Sequence, residues 1–172
     1  MIIKCYNLIF DGDFNAKIIM TDCANHNKCI EKALQDAESI CAQKNIRFTD
    51  LRKKVFEIIS AKHSPIKAYD ILELLQKDDS SAKPPTVYRA LDFLLENGLV
   101  HKLHSSNSFA ACSHPTAEHS QCYFLICDKC NNVKECCNSG LITEEITKIA
   151  TDNNFKTNNI SIEIKGICNS CL

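Results

Sequence analysis

Ala82-Lys83-Pro84-Pro85-Thr86-Val87-Tyr88-Arg89-Ala90-Leu91-Asp92-Phe93-Leu94-Leu95-Glu96-Asn97-Gly98-Leu99-Val100-His101-Lys102 is the stretch whose reading decides the fold. Pro84-Pro85 suits the first turn of a helix, where a missing N–H has no partner to lose. Val87, Leu91, Leu94 and Leu95 then recur at helical spacing, and Asn97-Gly98 supplies a C-terminal stop. Leu99 to Leu103 reads as a strand, Ser105-Ser106-Asn107-Ser108 as a polar hairpin tip and Phe109 to Cys112 as the returning strand.

Working toward the N-terminus, three more helices are expected. Lys67 to Gln76 buries Ala68, Ile71, Leu72 and Leu75, and His63-Ser64-Pro65 separates it from a helix with the stripe Leu51, Val55, Ile58 and Ile59. Thr49 is a suitable N-cap for that helix, with Asp50 well placed in its first turn. Before it, Ile30, Ala33, Leu34, Ala37, Ile40 and Cys41 form one apolar stripe, which makes packing the expected role of Cys41. Short helices followed by a hairpin make a winged helix-turn-helix. Beyond the hairpin, Tyr123 to Cys127, Val133 to Cys136 and Ile160 to Ile164 read as strands and Leu141 to Ala150 as a helix, a small α/β unit. The expected class is therefore α+β. Residues 1–27 are expected to be an irregular N-terminal extension, in which Met20 begins a polar stretch resembling an ordinary protein start. The winged-helix DNA-binding domain would span 28–112, a link 113–121 and the second domain 122–172.

With 172 residues, the chain can hold one or two domains and bury a core. No apolar run approaches a membrane span and no export signal is evident, so a cytoplasmic location is expected. Twelve cysteines, about 7% of the chain, would then sit in a reducing compartment, where metal or redox chemistry is favoured over structural disulfides. A net charge of −1 argues against a generally basic nucleic-acid coat. Residues 46–104, with 10 basic and 8 acidic side chains, are the only net-positive third, so any nucleic-acid contact should fall there, although +2 is a weak signal by itself.

Two Cys-x-x-Cys pairs, Cys127/Cys130 and Cys168/Cys171, are separated by 37 residues. Each can present two thiolates from one tight turn, and four thiolates suit tetrahedral structural zinc. The interval exceeds that of a zinc ribbon and leaves room for a helix and a strand. A second constellation is less specific by spacing. His101 and Cys112 lie on the two hairpin strands, His119 in the link and Glu135 on the next domain. Two imidazoles, one thiolate and one carboxylate balance the charge of Zn²⁺. Ligands from two domains would let metal occupancy set the angle between them. His114 and Cys122 are positioned to replace His119, and His104 could reach the hairpin. The vicinal Cys136-Cys137 pair reads as structural or incidental.

The segment 82–102, with Ala68-Tyr69-Asp70 before it and both Cys-x-x-Cys pairs after it, closely resembles the zinc-uptake regulators of the ferric-uptake-regulator (Fur) family, over about residues 29–171. The resemblance implies a homodimeric repressor with an N-terminal winged helix and a C-terminal dimerisation domain. It would bind a double-stranded operator when loaded with zinc and control zinc-uptake genes, with about two zinc ions per subunit. It assigns His101, Cys112, His119 and Glu135 to a regulatory zinc, with the link near His119 spaced one residue differently from the family pattern. Iron- and peroxide-sensing relatives carry a His-rich run before the first Cys-x-x-Cys, where this chain has only His114 and His119.

On the helix that would enter the major groove, burial of the apolar stripe leaves Thr86, Tyr88, Arg89 and Asp92 outward. Arg89 can pair with guanine or anchor a phosphate. The resemblance adds Tyr69. A two-fold dimer implies a near-palindromic operator. A thiol-redox or an iron- or manganese-responsive regulator is the alternative. Catalysis is not expected: the deaminase pattern H-x-E…P-C-x-x-C is absent, because Ile126 precedes the first pair and no His-x-Glu occurs. No membrane partner or small-molecule substrate is expected besides zinc.

Overall fold

The computed structural model describes residues 4–10, 16–22, 26–62, 64–113, 115, 122–137 and 140–172, with 4–10, 16–22, 26, 137, 140 and 141 by backbone alone. Four helices form the N-terminal body: α1 (His26–Gln43), α2 (Asp50–Ser60), α3 (Ala68–Gln76) and α4 (Pro84–Glu96). Their apolar stripes meet in one core, in which Ala37, Val55, Ile71 and Leu94 are fully sequestered. Cys41 belongs to this core at 1% exposure, as its place on the α1 stripe predicts. Burying each large aliphatic side chain contributes about 1.5–3 kcal/mol. Phe56 and Phe93 join the core from outside the expected stripes, and Phe48 packs against both rings at 6.3 Å.

Thr49 stands at the N-cap of α2 in extended conformation, but it caps with its backbone. Its carbonyl accepts the Lys53 N–H at 2.9 Å, and its side chain makes no capping bond. Just past the C-terminal end of α4, Gly98 takes φ 70°. Its N–H reaches the Leu95 carbonyl, and the Leu99 N–H reaches the Leu94 carbonyl at 2.9 Å. This pair of bonds closes the helix and turns the chain directly into the wing.

The wing is β4 (Val100–Leu103) paired antiparallel with β5 (Ser108–Ala111), and Asn107 at its tip has φ 47°. A two-residue strand, β3 (Ile66–Lys67), adds to the free edge of β5, giving the order β3-β5-β4. Sequence periodicity did not anticipate β3, because two residues carry no readable period. The second unit is a three-stranded sheet of order β7-β6-β8 with α5 (Gly140–Asp152) between its last two strands. In it, β6 (Cys122–Cys127) is antiparallel to β7 (Val133–Cys137) and parallel to β8 (Ile162–Gly166).

The segment expected to be irregular contains an antiparallel pair, β1 (Lys4–Phe10) and β2 (Ala16–Asp22), with Phe10 opposite Ala16. Tyr6, Leu8, Ile9 and Phe10, then Ile18 and Ile19, favour strands, and Asp11-Gly12-Asp13 between them has turn chemistry. Reading residues 1–27 as irregular overlooked this strand chemistry.

Candidate metal centres and nucleic-acid face

The parallel pairing of β6 with β8 brings the two Cys-x-x-Cys pairs together. Cys127 is registered with Gly166, so both strands run out at the same end of the sheet and each enters its knuckle there. Asn131, at φ 54°, reverses the first knuckle, and the Asp128 N–H bonds to the Gly166 carbonyl at 2.8 Å. Cys171 folds back onto Cys168 through a 2.9 Å backbone bond, and Lys129 Nζ donates to the Cys171 carbonyl. The sulfurs of Cys127, Cys130, Cys168 and Cys171 all lie within 4.8 Å of one another. Cys130 and Cys168 stand 3.8 Å apart, which matches the roughly 3.8 Å sulfur spacing of tetrahedral zinc with 2.3 Å bonds.

The thiols are electrostatically unequal. The Cys168 backbone N–H, 3.3 Å from the Cys127 sulfur, and the N–H groups of Cys130 and Lys129 bring the Cys127 thiol down to about 6. Crowding by the thiols of Cys168 and Cys130 pushes Cys171 up to about 12. A cluster able to form one thiolate easily and others reluctantly suits a divalent cation, which supplies the missing positive charge.

The second cluster spans the wing and the sheet. His101 on β4 faces Ala110 on β5, and the Cys112 N–H continues the ladder to the Leu99 carbonyl at 2.9 Å. From β7, Glu135 places Oε1 2.8 Å from His101 Nε2 and 3.6 Å from Cys112 Sγ, while its Oε2 accepts the Ser113 N–H at 2.8 Å. The His101 ring lies 5.1 Å from that of Phe124. These three residues offer ligand atoms within 4.8 Å of one another. The carboxylate side chain is only 5% exposed, and a buried anion beside an imidazole and a thiol favours a cation among them. The set of N, S and O donors fits zinc.

His119 and its rival His114 lie outside the described residues. His104 is exposed at the wing tip and does not join the cluster. Cys122 departs from the expectation of reduced thiols, being disulfide-bonded, and so offers no free sulfur as a ligand. Cys136 stays free beside Tyr123, and burial pushes its thiol up. In the helical body, Tyr69 at the start of α3 is 68% exposed and Tyr88 on α4 is 53% exposed. Arg89 and Asp92 are exposed and Thr86 half-buried, so α4 presents the outward face expected of it. The sequence reading did not single out Phe124, because nothing local marks a strand aromatic as a partner for a wing histidine.

A winged helix whose wing shares a cluster able to hold a metal with a second, cysteine-knuckled sheet defines the class: a DNA-binding regulator answering to a metal ion. The chain belongs to the ferric uptake regulator family, whose model matches residues 43–165. It is 43% identical to the zinc uptake regulation protein of Escherichia coli (strain K12) over 145 residues, 83% of this chain and 82% of that one. Its structure is similar to that of a zinc uptake regulator complexed with zinc and DNA, with TM-score 0.78 and 42% identity over 83% of this chain and 94% of that one. Similarity to holo XcZur gives TM-score 0.75 at 35% identity, covering 81% and 96%. For apo XcZur the TM-score is 0.50 at 34% identity, covering 84% and 98%.

Proposed function

We propose that the protein is a zinc-responsive, homodimeric transcriptional repressor that binds the operators of zinc-uptake genes when its second metal site is filled. Cys127, Cys130, Cys168 and Cys171 hold a structural zinc. His101, Cys112 and Glu135, with His119 completing the set, hold the regulatory one. The observation that carries this reading is the convergence of wing and sheet ligands on one point. A metal bound there ties the DNA-reading body, residues 28–112, to the dimerisation unit, residues 122–172. The similarity to holo XcZur and the lower score against apo XcZur, at nearly equal identity, support a metal-dependent arrangement of the two units.

Zinc supplies a positive charge that relieves Glu135 and the Cys112 thiolate at a shared, largely buried point. The chain's own groups do the rest. The antiparallel register of β4 and β5 sets His101 and Cys112, and the Ser113 N–H orients the Glu135 carboxylate. The rigid turn at Gly98 passes the position of the wing to α4. Tyr69, Thr86, Tyr88 and Arg89 then face DNA, Arg89 as a guanine or phosphate contact. Titrating zinc into full-length protein with its operator tests the reading: DNA binding should follow zinc, and wild type that binds equally with and without zinc refutes it. A response to peroxide at constant zinc would favour the thiol-redox alternative instead.

A further inference from the structure

We propose that Glu163 is a positioning residue, holding the wing tip against the C-terminal sheet so that His101, Cys112 and Glu135 meet at one metal. The inference rests on the zinc-responsive reading above and extends it to a residue outside the ligand set.

Glu163 lies on β8, and its carboxylate reaches out of its own sheet to the wing. Oε1 accepts the backbone N–H of His104 at 2.6 Å and Oε2 that of Ser105 at 3.1 Å. Burial pushes its carboxyl up, but hydrogen bonds from the Ser105 side chain and from the His104 and Ser105 backbone bring it below the ordinary carboxylate value. The contact joins residues 59 and 58 positions apart across the two units.

The register explains why this contact bears on the metal site. Phe124 on the central strand is paired with Glu135 on one side and with Glu163 on the other. The three residues form one row across the sheet, and registered neighbours project from the same face. That row meets the wing along its length. Glu135 meets its base through His101, Cys112 and Ser113, Phe124 meets the His101 ring, and Glu163 meets the tip. A metal at the base alone leaves the hairpin free to pivot about that point, whereas a second attachment at the tip removes the pivot. Tip contact and metal binding then favour the same orientation, and each strengthens the other by the same factor. The two backbone N–H groups carry the contact and the Ser105 hydroxyl adds to it, so proline at either tip position would remove a donor.

Full-length wild type, Glu163→Ala and Glu163→Gln are compared by operator binding against free zinc set with a competing chelator. Structural zinc content and thermal midpoint are recorded alongside. Glu163→Ala should raise the free zinc at half-maximal DNA binding about tenfold, as two charge-assisted hydrogen bonds are lost. Structural zinc should stay in place. Glu163→Gln, which keeps the length and one acceptor oxygen, should fall between. An alanine variant that titrates like wild type overturns the inference while leaving the zinc-responsive reading intact. Wild type that ignores zinc overturns both. If the alanine variant loses its structural zinc, amide exchange in wild type decides: the His104 and Ser105 amides should be protected with regulatory zinc bound and exposed without it. Equal exchange in the two states refutes the role.

Discussion

Cys112 ends the wing with its sulfur 3.6 Å from the Glu135 carboxylate, and its softness biases the site toward zinc over hard, oxygen-seeking cations. Cys112→Ala should therefore shift zinc-dependent operator binding to higher free zinc by more than the ~10–100-fold typical of losing an outer-shell partner. Structural zinc, measured by metal analysis, should stay at its wild-type level. The knuckle thiols make a separate prediction. With Cys171 pushed up to about 12 and Cys130 also raised, both carry protons at neutral pH in the metal-free form. Zinc must displace those protons, so affinity should rise with pH and at least two protons should leave per zinc bound. Calorimetry in buffers of differing ionisation enthalpy counts them, and a heat independent of buffer would contradict the assignment.

Among the elements, α4 and its C-terminal turn would connect DNA recognition to metal sensing in the proposed mechanism. Gly98 at φ 70° occupies a conformation that a β-carbon disfavours. Gly98→Ala should destabilise the winged helix by about 1–2 kcal/mol, read as a lowered thermal midpoint with metal content unchanged. The four N-terminal helices were legible in the sequence because each carries at least four apolar positions at helical spacing, and burial of Val87, Leu91 and Leu94 follows that spacing. The knuckles were legible because two thiols on one turn suffice to mark them. What the sequence withheld depends on pairing between distant strands. The two residues of β3 are too few for a period. The parallel register of β6 with β8 places Glu163 beside the wing, and no local pattern around Ile162-Glu163-Ile164 announces that. His101 and Glu135 were nameable as candidate ligands by residue type and family likeness, but their 2.8 Å approach follows from the fold alone.

On the scale of the whole molecule the two units are unequally built. The apolar core runs through residues 37–109, while among the described residues after Cys112 only Phe124 and Cys127 are buried. Leu125, Ile149, Phe155, Ile164 and Ile167 remain exposed, apolar surface that a second copy would cover. A unit with so little interior relies on its metal, since structural zinc contributes roughly 10–16 kcal/mol in small peptides. Stripping zinc with a strong chelator should unfold the C-terminal unit and leave the helical core intact. Circular dichroism that keeps both the helical and the sheet signal would refute this. For the dimer, half-sites should lie about 10 base pairs apart or a multiple of that, which footprinting on spacer variants would test.

The short Asn97–Leu99 connection between α4 and the wing has a geometric consequence. Thirteen helical residues make a rod of about 20 Å at 1.5 Å per residue. A rotation of the winged-helix body by roughly 10° about an axis through the Asn97–Leu99 connection, perpendicular to that rod, therefore swings the Pro84 end through about 3.4 Å, one base-pair step along DNA. Angular play of that size would be enough to put the proposed DNA-facing residues one step out of phase with a half-site.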